Sequence, residues 1–168
     1  MKSTPGWTAL WMGFIALSCA SVLAQERWVY RYNGPRGYSD EALSIAAGID
    51  GNLYAAGYSS GGSATHDDLA VISLTPSGEE RWVYSYDGPG HSYDNAKSIS
   101  SGADGHVYAT GTSWGSSTNY DLIVVSLDVS GTERWVYRYN GPGAAQDLGN
   151  SIVVGAKDNV YICGQSWL

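Results

Sequence analysis

The chain has 168 residues, a net charge of −7, 22 Gly, 7 Trp and 13 Tyr but a single Phe. That acidity makes a nucleic-acid backbone or an anionic membrane surface a poor partner, and a hydrophobic share of 43% argues against disorder. Gly at nearly twice its usual share of about 7%, with so much Trp and Tyr, predicts β-structure and tight turns in one domain of ordinary size.

Residues 1–24 differ in kind from the rest. Lys2 gives a basic start, Ala9–Leu17 is an uninterrupted apolar stretch, and Val22-Leu23-Ala24 offers a cleavage site before Gln25. This three-part pattern predicts a secretory signal peptide. The mature domain, 25–168, is then secreted or extracytoplasmic, in the periplasm or at the cell surface, with no membrane span after cleavage. A retained anchor fits less well because the apolar run is short for a bilayer. Lipid attachment at Cys19 is a weaker alternative, since Ala16-Leu17-Ser18 lacks the Leu that a lipoprotein box usually carries at −3. Cleavage leaves Cys163 as the only thiol, so no internal disulfide is available. Its place in the run Val160-Tyr161-Ile162-Cys163 predicts a buried small hydrophobe.

Internal repetition is the main signal. Glu-Arg-Trp-Val-Tyr-x-Tyr-[Asn/Asp]-Gly-Pro begins at Glu26, Glu80 and Glu133, and Trp28, Trp82 and Trp135 stand 54 and 53 residues apart. The first copy places a strand at 26–32. Ser44–Ala47 and Leu53–Ala56 then flank Asp50-Gly51-Asn52, the signature of a hairpin whose Gly takes positive φ. A polar loop over Ser59–Asp67 leads to a strand at Leu69–Leu74. Pro76-Ser77-Gly78 turns the chain into a fourth, Arg81–Tyr86, whose Trp82, Tyr84 and Tyr86 share one face suited to packing between sheets. The second unit repeats this through Ile99, Asp104-Gly105, Val107-Tyr108, Leu122–Leu127 and Trp135. In the third the hairpin turn becomes Lys157-Asp158, which turns less readily. No window shows a 3.6-residue apolar stripe, so the class is all-β.

Four antiparallel strands in about 40–50 residues make one β-propeller blade, apolar on both faces because both neighbours cover it. Labelled A to D, the strands are a lone D (26–32), two full sets (42–86 and 96–139) and an A–B pair (149–166). That is an incomplete ring of about 2.75 blades, against the four to eight of known propellers. The expectation is therefore the N-terminal part of a longer propeller, or a truncated product with no independent role. Uncovered blade faces and an unpaired strand edge predict self-association.

The pattern D-x-A-x-S-I, D-G-N-x-Y-x-x-G, D-x-x-V-x-S-L, G-x-E-R-W-V-Y-x-Y-N-G-P spans nearly all of residues 26–167. It resembles the bacterial seven-bladed β-propeller repeats labelled SBBP and, more distantly, NHL-type repeats. The resemblance implies a propeller scaffold in an exported or cell-surface protein, and no general catalytic motif.

Residues common to all units report what a blade requires. Asp40, Asp94 and Asp147 recur just ahead of strand A, and Asp68 and Asp121 just ahead of strand C. Such Asp side chains accept backbone N–H bonds in turns. The rival reading, a ring of carboxylates around a cation, asks for more converging oxygens than each loop supplies. His66, His91 and His106 share no repeat position and no zinc spacing, and neither a cofactor nor a metal is expected. Function belongs where units differ, in the B–C loops and the segments after Gly-Pro. The candidate ligand-facing residues there are Tyr38, His66, Asp67, His91, Tyr93 and Tyr120. Two functions fit: a non-catalytic scaffold binding protein or glycan through these loops, or a carbohydrate-active hydrolase using loop carboxylates such as Asp67 and Asp94.

Overall fold

The computed structural model describes residues 28–63, 66–143 and 145–167. The signal-peptide reading of 1–24 and the alternative of lipid attachment at Cys19 lie outside these residues. Ten strands follow in chain order: β1 Asp40–Ala47, β2 Leu53–Gly62, β3 His66–Leu74, β4 Glu80–Tyr86, β5 Asp94–Ser101, β6 Val107–Trp114, β7 Tyr120–Leu127, β8 Glu133–Tyr139, β9 Asp147–Val154 and β10 Val160–Ser166. They form two antiparallel four-stranded meanders, β1-β2-β3-β4 and β5-β6-β7-β8, and a β9–β10 hairpin. The molecule is all-β and propeller-like, with sheets side by side in an open array. Among the described residues no helix is long and apolar enough to cross a membrane.

Turn chemistry sets the hairpins. Gly51 and Gly105 take φ of +79° and +81°, and the preceding Asp fixes each turn. Asp50 accepts the Asn52 N–H (3.0 Å) and the Tyr54 hydroxyl (2.8 Å). Burial opposes its charge, but those bonds outweigh it and hold the carboxyl below the usual range. In the third unit Lys157 and Asp158 take φ of +62° and +57° without a glycine, a strained solution costing on the order of 1 kcal/mol per residue.

Sheet-to-sheet packing follows the repeat. The first strand of each unit lies innermost, β5 against β1, β2 and β3, and β9 against β5, β6 and β7. A serine on each inner strand reaches the next sheet: Ile99 N–H donates to Ser44 Oγ (3.3 Å), and Ile152 N–H donates to Ser98 Oγ (3.2 Å). Each bond ties a backbone N–H of one sheet to a side chain of its neighbour. Between the two full sheets Tyr54, Ala56, Leu69 and Val71 meet Ile99, Val107, Ile123 and Val125 in one buried cluster. Trp82, Tyr84 and Tyr86 pack on its rim, as the inter-sheet reading of that stripe requires. Trp82 lies over Gly131 and donates to Val129 O (3.1 Å), while Tyr84 donates to Glu133 (2.6 Å).

Three expectations need correction. The D strand expected at 26–32 is not a strand over 28–32. Its side chains nevertheless sit on the first sheet as those of β4 sit on the second. Trp28 covers Gly78 and donates to Pro76 O (3.0 Å), and Tyr30 donates to Glu80. With no neighbouring third strand described beside it, the segment has side-chain anchors but no ladder. The expected loop Ser59–Asp67 is largely strand, with Ser59↔Asp68, Ser60↔Asp67 and Gly62↔His66 in register. Polar side chains at a sheet's wet end leave backbone pairing intact. Cys163, finally, is exposed rather than buried. It lies on β10, whose residues are almost all exposed.

Candidate functional site

In an antiparallel meander the B–C hairpins and D–A loops share one end of the sheets. That end carries every candidate residue. Its frame is a repeated clasp in which the first residue of strand A takes an N–H from the Gly-Pro turn. Gly34 donates to Asp40 (2.9 Å), Gly88 to Asp94 (2.7 Å) and Gly141 to Asp147 (2.6 Å). At Gly88 any Cβ would run into Ser113 and the Asp94 carboxylate, so glycine permits the close approach. Burial pushes the Asp94 carboxyl up, opposed by hydrogen bonds from Ser113 and Gly88.

A polar row runs across each sheet just inside this frame. In the second sheet Asp94 pairs with Ser113, and Ser113 with Asp121. Arg138 on β8 completes the row, donating to Asp121 Oδ2 (2.7 Å), to Ser113 O (3.2 Å) and to the Ser113 hydroxyl. Burial works against the guanidinium charge, but the bond to Asp121 more than offsets it. In the first sheet the row is Asp40, Ser59 and Asp68, with Ser85 where Arg138 stands in the second. A shallow hollow of about 80 Å³, lined by Arg36, Ser59, Asp68 and Ser85 among others, occupies that place. Sequence reasoning passed over Arg138. The available signal was the single variable position inside the shared Trp-Val-Tyr-x-Tyr string, filled by Arg31, Ser85 and Arg138.

Above the frame lies an aromatic ledge spanning the seam. The His66 ring, from the first sheet, stacks on Tyr93 of the second-sheet loop at 4.8 Å and 29°. Tyr38 packs its ring over Gly62, and Tyr120 meets Trp114 edge-on at 4.9 Å and 82°. Burial and the charges of Tyr93, Asp67 and Asp94 raise the Tyr120 phenol, placing these groups in one electrostatic neighbourhood. Tyr38, His66 and Tyr93 are exposed, while Asp67, Trp114 and Tyr120 are half-buried. Trp114 is a second residue the sequence reading missed; it replaces Ser60 of the first unit. His66 also takes φ of +57°, a region in which His is tolerated better than bulkier residues but still strained. His91 stands apart, its Nδ1 2.7 Å from Asp87 Oδ2.

The ledge offers flat rings, hydroxyls and one carboxylate, which suit stacking and hydrogen bonding. Asp94, the other carboxylate, is enclosed, with one of its oxygens taking the Gly88 N–H of the clasp. Among the described residues no three His, Cys, Asp or Glu side chains converge as metal ligands. The larger cavity, about 250 Å³, lies elsewhere, over the outer face of β1–β3. No protein-family model matches the chain, and no curated protein sequence is significantly similar to it.

Proposed function

We propose that this is an exported, non-catalytic β-propeller repeat protein of the SBBP type, and that it binds a protein or glycan ligand on the aromatic ledge. The observation that carries this reading is the stacking of His66 on Tyr93 across the seam, flanked by Tyr38 and Tyr120. Exposed aromatic rings give large contact area at low conformational cost, with a polar edge left for hydrogen bonds. They stand on variable connecting segments (Tyr38, Tyr93) and on the first residues of strands (His66, Tyr120), over a frame that repeats, where recognition residues belong. The backbone strain at His66 points the same way, because strain persists where surrounding structure holds it.

A glycan array and a pull-down from culture supernatant, both with the full chain, test the reading. Tyr93→Ala and Tyr38→Ala should each weaken the captured ligand at least tenfold, roughly the 1.4 kcal/mol or more expected of an aromatic anchor. Their melting curves should match the parent's. Binding unchanged in both variants would overturn the ledge. Glycan cleavage lost in Asp67→Asn would replace the scaffold by the hydrolase reading.

A further inference from the structure

We propose that the cavity over β1–β3 is the seat for the β9–β10 face of a second copy of this chain, and that two copies close head to tail into one ring. The cavity is lined by Ala42, Ile45, Ala55, Ala70, Ile72 and Leu74, with Trp28 and Tyr30 over one side. One repeat further on, those six positions are Ala96, Ile99, Ala109, Ile123, Val125 and Leu127, all buried in the seam between the two full sheets. Trp28 and Tyr30 correspond to Trp82 and Tyr84 of that same seam. The cavity is thus half of an interface that the chain builds once internally, with the D-strand side chains in place.

The missing half is present at the other end of the array. In the built seam it is led by Tyr54, which is 0% exposed and lies 5.8 Å from Trp82. Tyr108 repeats the contact at 6.0 Å from Trp135. The third member of the series is Tyr161 on β10, 59% exposed, with Val153 beside it on β9 at 57%. Seated in the cavity of a second copy, Tyr161 meets Trp28 as Tyr54 meets Trp82. Ser151 then takes the Ile45 N–H, as Ser44 takes that of Ile99. Each composite sheet has strands A and B from one copy and the D segment from the other. A slot one strand wide, with ladder spacings of about 5 Å on either side, remains between them. Two copies of the described residues make six sheets, within the four to eight that close a propeller, whereas three copies make nine. The contact joins unlike surfaces, so it closes only if the rotation per chain is right. Both copies carry −7, so apolar burial drives the contact and added salt should tighten it.

Sedimentation velocity with light scattering on the full chain tests this, across concentration and at two salt levels. A two-chain species should form and strengthen with salt. Tyr161→Glu and Ile45→Glu alter residues exposed in the single chain, so each should fold and sediment as one chain, its affinity reduced at least tenfold. Mixing the two variants should restore a two-chain species, because one unaltered head then meets one unaltered tail. A single chain at every concentration would overturn the proposal, as would open polymers with no two-chain plateau. Variants that associate like the parent, or a mixture that stays monomeric, would also overturn it. So would a single chain in which residues 1–27 shield the cavity from hydrogen exchange.

Discussion

Ile45 and Ile99 occupy the same position in successive repeats, on strands with the same bulge beside the same serine. Ile99 is 6% exposed in the seam between the two full sheets, and Ile45 is 64% exposed at the rim of the open cavity. The side chains are identical and so is the local backbone pattern, so the difference belongs wholly to the neighbour. Burial in a repeat architecture is a nearest-neighbour property, and stability is close to a sum over interfaces. The comparison can be broken directly. Ile99→Ala removes buried methylene groups with sheets on both sides and should cost about 3 kcal/mol. Ile45→Ala, in dilute protein where chains are apart, should change stability by no more than about 0.5 kcal/mol. Urea unfolding of both variants measures the pair. Equal losses would mean that the cavity face is already covered in the free chain.

A second contrast separates the two full sheets at their loop ends. Their polar rows match residue for residue until the last strand, where Ser85 stands against Arg138. Asp121 is nearly enclosed, and the Arg138 guanidinium reaches it at 2.7 Å with about a fifth of its side chain exposed. Removing the cation leaves a nearly buried carboxylate that keeps the Thr118 hydroxyl bond (3.0 Å) but no longer has a positive charge against it. Breaking a fully buried pair costs about 3–5 kcal/mol, and partial solvent access around Arg138 lowers the figure to about 2 kcal/mol. Arg138→Ala should therefore lower the urea midpoint clearly while leaving the ledge rings in place. Arg138→Ser, which copies the first sheet, should be no milder, since a hydroxyl is too short to reach Asp121. A loss under about 0.5 kcal/mol in either would show that water replaces the guanidinium there.

Much of the architecture was legible because repeats report the same physics three times. The Glu-Arg-Trp-Val-Tyr string placed the outer strands, and Asp50-Gly51 and Asp104-Gly105 placed the hairpins. Asp40, Asp94 and Asp147 were readable as turn acceptors from position alone. What escaped depended on neighbours. Cys163 sits in an apolar run like its repeat mates, yet it is exposed, on a strand of which only Val160 among the described residues is half-buried. Residues 28–32 carry a strand's side chains without a strand's ladder. The loop residues His66 and Asp67 extend β3 because backbone pairing continues past the apolar stretch that marked the strand. Of the six candidate residues, the structure gathers Tyr38, His66, Asp67, Tyr93 and Tyr120 around one seam and leaves His91 outside. No composition signal tells a histidine stacked across a seam from one held by its own loop.

The smallest effect belongs to that outlying histidine, and it sharpens the contrast between seam and loop. His91 is an exposed loop residue at φ +45°. Its hydrogen bond to Asp87, with the attraction of that carboxylate, raises its pKa above the ordinary 6.5. A group whose pKa is raised on folding binds its proton more tightly in the folded chain. The stability it adds is therefore complete below pH 6.5 and fades as pH climbs through the folded value. Because the pair is surface-exposed, the effect should be the least of the three and should shrink in salt. Melting midpoints of the parent and of Asp87→Asn, compared from pH 5 to pH 9, isolate it. The parent should lead slightly at the acid end and the two should converge at the alkaline end. A lead that grows with pH would assign the pH dependence to another group, since Asp87→Asn removes only the carboxylate that holds the imidazolium.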